Sequence, residues 1–321
     1  MSEIRDKILN LKLYMEQNIL GQEDLVRKLL ITLMANGHIL VEGAPGLAKT
    51  KSIKIMSECI DAEYNRIQFT PDLLPSDITG SDIYIASTGQ FEFRAGPIFA
   101  SLVLADEINR APAKVQAALL ESMAERQISV GGKQYKLPKL FMVMATQNPI
   151  EHEGTYNLPE AQLDRFLLYT RINQPDATTE KRILHLVRNE DTNTQNVEKP
   201  CILRVSDILA ARQEAYAVHM SDAIEEYLVQ LIMATRHPEK YDESLQNMIS
   251  YGASPRATIA LDKCARINAW LAGREFVIPE DIHALIYDVL RHRIILNFEA
   301  QATGLTSDEV ISRLLKVVPL P

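Results

Sequence analysis

An apolar run, Ile39-Leu40-Val41-Glu42, leads straight into Gly43-Ala44-Pro45-Gly46-Leu47-Ala48-Lys49-Thr50, and a helical pattern through Ile53, Met56 and Ile60 follows. No other stretch restricts the fold as tightly. Strand, glycine-bearing loop and helix in that order are the setting in which G-x-x-x-x-G-K-[ST] has physical meaning. Small residues let backbone N–H groups close round a phosphate chain at the positive end of a helix. In that setting Lys49 would reach the terminal phosphates and the Thr50 hydroxyl would hold Mg²⁺, with Gly43 through Lys51 as the candidate binding loop. The residue before the lysine is Ala48, not glycine. Its methyl group is tolerable if that residue already has helical dihedrals with φ below zero, so the departure weakens the match without cancelling it. Read blandly, the same letters are a glycine-rich turn with a solvated lysine.

A second element favours the functional reading. Ser101-Leu102-Val103-Leu104-Ala105 runs directly into Asp106-Glu107. An apolar strand ending in two carboxylates places them at the edge of a parallel sheet, where open α/β folds bind ligands. Asp106 is then the metal-side acid, acting on Mg²⁺ through water, and Glu107 the base that polarises an attacking water. In isolation the pair would be two solvated acids at a strand end.

Short apolar runs alternate with helical segments through the first half, which points to an α/β layer fold with a parallel sheet. The five candidate strands are Ile39–Glu42, Arg66–Phe69, Ser101–Asp106, Leu140–Thr146 and Phe166–Ile172. Residues 78–98, with Gly80, Gly89 and Gly96, and residues 127–137, with Gly131-Gly132 at their centre, have the pattern of hairpins. From Thr178 onward the spacing predicts amphipathic helices and no strand: Leu203–Tyr216, Asp222–Arg236, Pro255–Leu271, Pro279–Arg293 and Thr306–Val317. The polar stretch Asn189–Lys199 is the best linker or long loop.

The motifs GAPGLAKT (43–50), LADEINRAPAKVQAALLESM (104–123), ATQNPIEHEGTYNLPEAQLDRF (145–166) and GASPRA (252–257) resemble those of AAA+ ATPases, and more closely those of the MoxR family. Ala48 resembles the MoxR version of the loop, whereas Asn157 stands where the family pattern has proline. The resemblance implies a P-loop NTPase fold: a five-stranded parallel sheet with helices on both faces, then an all-α lid. It divides the chain into a nucleotide-binding core over residues 1–175 with inserts near 78–98 and 127–137, a linker and first lid segment over 176–200, and a helical lid over 201–321. It implies ATP as substrate and Mg²⁺ as cofactor. By the same similarity Asn148 is the sensor 1 residue, Arg165 the arginine finger and Arg256 the sensor 2 residue, while Gly21 and Gln22 belong to the segment near adenine. The residues alone leave other readings open. Asn148 would also satisfy a turn before Pro149, Arg165 is a surface cation paired with Asp164 or Glu160, and Gly21-Gln22 is an ordinary helix entry.

The resemblance further implies a homo-oligomeric ring, of hexameric size, and chaperone-like work on a protein client such as one with a von Willebrand factor A domain. The alternative is a nucleic-acid-associated AAA+ motor or transcription regulator. Against it, 34 Lys+Arg and 42 Asp+Glu leave a net charge of −8, which disfavours a general polyanion binder. No stretch approaches the roughly 20 apolar residues of a membrane span. The opening MSEIRDKILN carries Glu3, Arg5, Asp6 and Lys7 where a leader would be apolar, so the expected address is the cytoplasm. Cys59, Cys201 and Cys264 lie far apart and form no zinc or disulfide pattern. His152, His283 and His292 lack partners at ligand spacing, and Trp270 shares a helical face with Ile267 and Leu271; packing explains them most simply.

Overall fold

Thirteen strands and the helices between them are described here from a computed structural model covering residues 2–149, 154–191, 200 and 202–321. His152, Cys201 and most of the proposed 189–199 linker lie outside the described residues. The chain divides into two units: residues 2–158 with 170–209, and residues 159–169 with 210–321.

In chain order the strands of the first unit are β1 (Ile39–Glu42), β2 (Ile60–Asp61), β3 (Tyr64–Gln68), β4 (Gly80–Ile85), β5 (Gln90–Ala95), β6 (Leu102–Asp106), β7 (Gln127–Val130), β8 (Lys133–Lys136) and β9 (Met142–Gln147). β10 (Leu168–Arg171) joins β1, β3, β6 and β9 in a five-stranded sheet of order β10-β1-β9-β6-β3. The β1–β9, β9–β6 and β6–β3 pairs are parallel. This is the expected sheet. All five residues of β6 are buried, as befits a strand covered on both faces.

Helix α1 (Glu3–Asn18) buries Ile8, Leu11 and Met15, the face the 3.6-residue spacing predicts. α2 (Glu23–Met34) buries Leu25, Leu29, Leu30 and Leu33 and gives way to the left-handed Asn36. α3 (Lys49–Glu58) follows the loop after β1. The short β2 pairs in parallel with β11 (Leu203–Arg204), so the helix expected from Leu203 begins only at Val205.

Both expected hairpins are present. β4 pairs with β5 from Gly80↔Ala95 to Ile85↔Gln90, and β7 pairs with β8 around Gly131-Gly132. They are joined by an aromatic contact: the Phe93 ring of β5 stacks on Tyr135 of β8, 3.8 Å between centroids and 19° between planes. Farther out on the first hairpin Tyr84 and Phe91 touch each other and remain exposed.

The second unit is built mainly from the helices Asp222–Arg236, Pro255–Leu271 and Ser307–Val317 with shorter pieces between them. Ser221, Ser254 and Thr306 cap their N-termini, Thr306 with a reciprocal Glu309 bond. Two expectations need correction. β12 (Ile249–Tyr251) and β13 (Ile295–Leu296) form a small antiparallel pair where no strand was expected; segments of two or three residues are too short for alternation to show. The helix expected over Pro279–Arg293 is two pieces, Pro279–His283 and Ile286–Leu290, interrupted at Leu285. Ile282, Leu285, Ile286, Val289 and Leu290 are all buried, so the periodicity identifies the buried face without registering one distorted peptide. Trp270 is buried, with its indole N–H on Glu214. Among the described residues no helix is long and apolar enough to cross a membrane.

His38 ties the sheet to a helix beneath it. Its Nδ1 accepts from Val143 N–H at 3.0 Å, so the proton sits on Nε2, which faces the Met123 carbonyl at 3.3 Å. Burial, with Arg126 nearby, pushes its pKa from 6.5 down to about 3. An unfolded chain therefore takes up a proton that the folded chain refuses between those values. Stability from this residue is complete above about pH 6.5 and is lost as pH falls toward about 3, by up to about 1.4 kcal/mol per unit. Urea midpoints measured from pH 7 to pH 4 should fall less steeply in His38→Asn than in the parent, from a lower starting value.

Candidate active site

The loop between β1 and α3 contains two left-handed residues, Gly46 (φ 86°) and Ala48 (φ 54°). The condition of negative φ at Ala48 is therefore not met. Left-handed backbone costs an L-residue roughly 1–2 kcal/mol, and here it lies immediately before the helix start, a setting in which successive N–H groups in general suit an anion. At Gly46 an added Cβ would meet no atom within 4 Å, so its dihedral rather than crowding calls for glycine. Lys49 folds back over the loop, its Nζ donating to the Gly43 carbonyl. Gly43 is buried, Pro45 and Gly46 are exposed, and Ala44 and Leu47 through Lys51 are partly exposed. Gly21 (φ 76°) packs against Thr179 with no room for a side chain, and the largely buried Gln22 precedes α2.

Register brings the other candidates to the same sheet edge. Val41 lies level with Thr146 and Glu42 with Gln147 on one side of β9, while Ala105 lies level with Ala145 on the other. The loop after β1, Asn148 after β9, and Asp106-Glu107 at the end of β6 thus share one edge, with Asn148 directly following the central strand. Asn148 is buried. Thr146 holds the acids together: its hydroxyl donates to Asp106 Oδ1 at 2.6 Å and accepts the Glu107 N–H at 2.9 Å. Glu107 itself is left-handed (φ 57°).

Three neighbours of these acids escaped sequence reasoning. Arg66 on β3 donates to Asp106 Oδ2 at 2.7 Å and to Gln68 Oε1 at 2.8 Å. Gln68 donates to Glu107 Oε2 at 2.9 Å, and Arg110 lies 3.1 Å from the same oxygen. The signal was two polar residues flanking Ile67 in a strand, but it meant nothing until β3 was known to pair with β6, setting Gln68 level with Asp106.

The donor set fits a hard divalent cation. Thr50 and Asp106 offer a hydroxyl and a carboxylate, and Mg²⁺ characteristically takes one or two such protein ligands beside phosphate oxygens and water. Among the described residues there is no cluster of three or more His, Cys, Asp or Glu able to hold a metal. Arg66, half exposed, is the exchangeable partner of Asp106.

Arg165 and Arg256 belong to the second unit, where the carboxylate of Asp164, the residue before Arg165, meets Arg256. Asp164 Oδ1 accepts from Arg293 Nε at 2.7 Å, and Oδ2 from Ser254 Oγ at 3.0 Å and from an Arg256 Nη at 3.1 Å. Arg293 is buried and also donates to the Phe166 carbonyl at 2.6 Å and the Leu167 carbonyl at 3.2 Å. Burial lowers its pKa, with Asp164 opposing. The reading of Arg165 as a cation paired with Asp164 or Glu160 is not what the structure has: its side chain forms no ion pair with a described residue. His292 is a buried core residue against the Phe166 carbonyl, and His283 meets the Tyr227 hydroxyl.

Comparison with known proteins places the chain in a family. The sequence model of the ATPase family associated with various cellular activities (AAA) matches residues 38–168, and that of the AAA lid domain matches residues 243–314. Chaperone MoxR1 of Mycobacterium tuberculosis is 44% identical over 304 residues, 94% of this chain and 79% of that protein. The chain belongs to the MoxR family of AAA+ ATPases. Protein MoxR of Methylorubrum extorquens is 32% identical over 338 residues, covering 100% of this chain and 97% of its own. A crystal structure from Cytophaga hutchinsonii superposes with a TM-score of 0.91 at 43% identity, over 99% of this chain and 96% of that one. The fold and family expected from the motifs are therefore correct, parallel sheet and helical lid included.

In this MoxR-family chain Thr146 carries a testable share of the site's order. Thr146→Val leaves the Asp106 oxygen and the Glu107 N–H without their shared partner and should lower unfolding free energy by about 1–3 kcal/mol. Thr146→Ser, which keeps the hydroxyl, should stay near the parent in chemical denaturation. A loss in Thr146→Ser with none in Thr146→Val would show that packing of the γ-methyl, not the hydroxyl, matters.

Proposed function

We propose that this protein hydrolyses ATP to ADP and phosphate at the interface between subunits of a homo-oligomeric ring and uses the cycle to remodel or mature a partner protein. The observation that carries this reading is the common sheet edge of the Gly43–Thr50 loop, Asn148 and Asp106-Glu107, with Thr146 tying the acids. Backbone N–H groups of the loop cradle the phosphates, and Lys49 leaves the Gly43 carbonyl to meet the terminal ones. Thr50 and Asp106 hold Mg²⁺, whose charge offsets that of the β- and γ-phosphates. Glu107 orients and polarises the attacking water. Asn148 positions that water against the γ-phosphate with a neutral amide, adding no charge.

Arg165 acts as an arginine finger on the nucleotide of the adjoining subunit. A partly buried guanidinium with no ion pair to a described residue supports a role outside its own chain. Arg256 senses the phosphate state, and Gly21-Gln22 lies beside the adenine. The ring is hexameric and works in the cytoplasm. Its client is a protein, with a von Willebrand factor A domain as the first kind to test; the name chaperone on the Mycobacterium tuberculosis relative points the same way.

Three variants separate these roles. Lys49→Ala should abolish nucleotide binding in calorimetry, whereas Glu107→Gln should bind ATP and stall phosphate release. Arg165→Ala should keep nucleotide affinity and lose about 10³-fold or more in turnover, the scale of arginine fingers. Mixing Arg165→Ala with Lys49→Ala protein should restore part of the activity, and mixed rings without rescue would exclude action in trans.

A further inference from the structure

We infer that Asp164 is a positioning residue that ties the placement of Arg165 to the engagement of Arg256, an inference that rests on the ATPase reading above. Its two oxygens have unlike partners. Oδ1 meets Arg293, whose side chain is 3% exposed, whereas Oδ2 meets Arg256, whose side chain is 64% exposed. A buried pair is costly to break because either partner is left as an uncompensated charge, while an exposed pair is weak and screened by solvent. One oxygen therefore holds a permanent partner and the other an exchangeable one.

The permanent partner anchors the segment that carries Arg165. Arg293 donates not only to the carboxylate but also to the carbonyls of Asp164, Phe166 and Leu167. The backbone on both sides of Arg165 is thereby gripped by one buried guanidinium, and the Arg165 N–H adds a turn bond to the Gln162 carbonyl at 3.2 Å. The exchangeable side is built around Ser254, which donates to Oδ2 and accepts the Arg256 N–H at 3.2 Å, capping the helix that carries Arg256. Asp164, Arg256 and Arg293 line a cavity of about 460 Å³ together with Glu160 and His292, so an anion has room to approach Arg256. A phosphate that draws Arg256 away leaves Oδ2 to Ser254 alone, while Arg293 keeps its hold on Oδ1. Loss of the Arg256 contact is thus felt at the residue next to Arg165 without releasing the anchor.

The test is steady-state ATP hydrolysis by assembled protein, with nucleotide affinity measured separately. Asp164→Asn should lower kcat by about 10²-fold, the scale for a reacting group displaced by about 1 Å, with KM within about twofold of the parent. The double variant Asp164→Asn/Arg165→Ala should be no slower than Arg165→Ala alone, since one residue acts through the other. Parental kcat in Asp164→Asn, or losses that multiply in the double variant, would overturn the assignment. Should circular dichroism show that Asp164→Asn does not fold, Ser254→Ala and Ser254→Thr decide the matter. A severalfold kcat loss in the alanine variant, with the parental rate in the threonine variant, supports the proposal; parental kcat in both refutes it. Arg165→Ala in the same series distinguishes the two levels. If it retains the parental rate, the finger itself is misassigned, whereas if it fails as expected and Asp164→Asn does not, only the role of Asp164 falls.

Discussion

A single buried hydroxyl sets the geometry on which the candidate site depends. Thr146, on the central strand β9, spans to β6 and fixes both a carboxylate oxygen of Asp106 and the backbone N–H of Glu107. Parallel pairing alone brings the strand ends level, but it does not orient side chains beyond the last ladder bond. The hydroxyl does so because it is donor and acceptor at once. It also holds Glu107 at a left-handed dihedral that a free chain would avoid. Strain there and at Ala48 lies in the segments that follow β6 and β1, at the same sheet edge.

The two acids differ in how they are held, although they are adjacent in sequence. Asp106 is buried and shares its oxygens between Thr146 and the half-exposed Arg66. Glu107 looks outward to Gln68 and Arg110. Asp106 is fixed by a buried hydroxyl, whereas Glu107 is held only by side chains that are themselves open to solvent.

Much of this was legible before any coordinates. The loop of residues 43–50 announces strand, turn and helix by spacing alone, and the buried run before Asp106 announces a central strand. What stayed hidden was of two kinds. The dihedral of Ala48 went the other way because a residue's identity is a weak guide to φ when the surrounding loop imposes it. Arg66, Gln68, Asp164 and Arg293 were missed because their meaning lies in partners distant along the chain: Asp164 meets Arg293 only once the segment before β10 has folded against the last helical pieces. Pair interactions of that reach leave no periodic trace. The small β12–β13 ladder was invisible for a related reason, its strands being only three and two residues long.

The stacked rings of Phe93 and Tyr135 have a mechanical consequence. The first hairpin returns to the sheet through the segment before β6, and the second through the segment before β9. A tug on the exposed tip at Tyr84 and Phe91 is therefore shared between two ribbons and enters the sheet at the roots of two neighbouring strands, the ones that end in Asp106 and next to Asn148. The tips behave as one lever with two fulcrums, stiffer than either ribbon by itself.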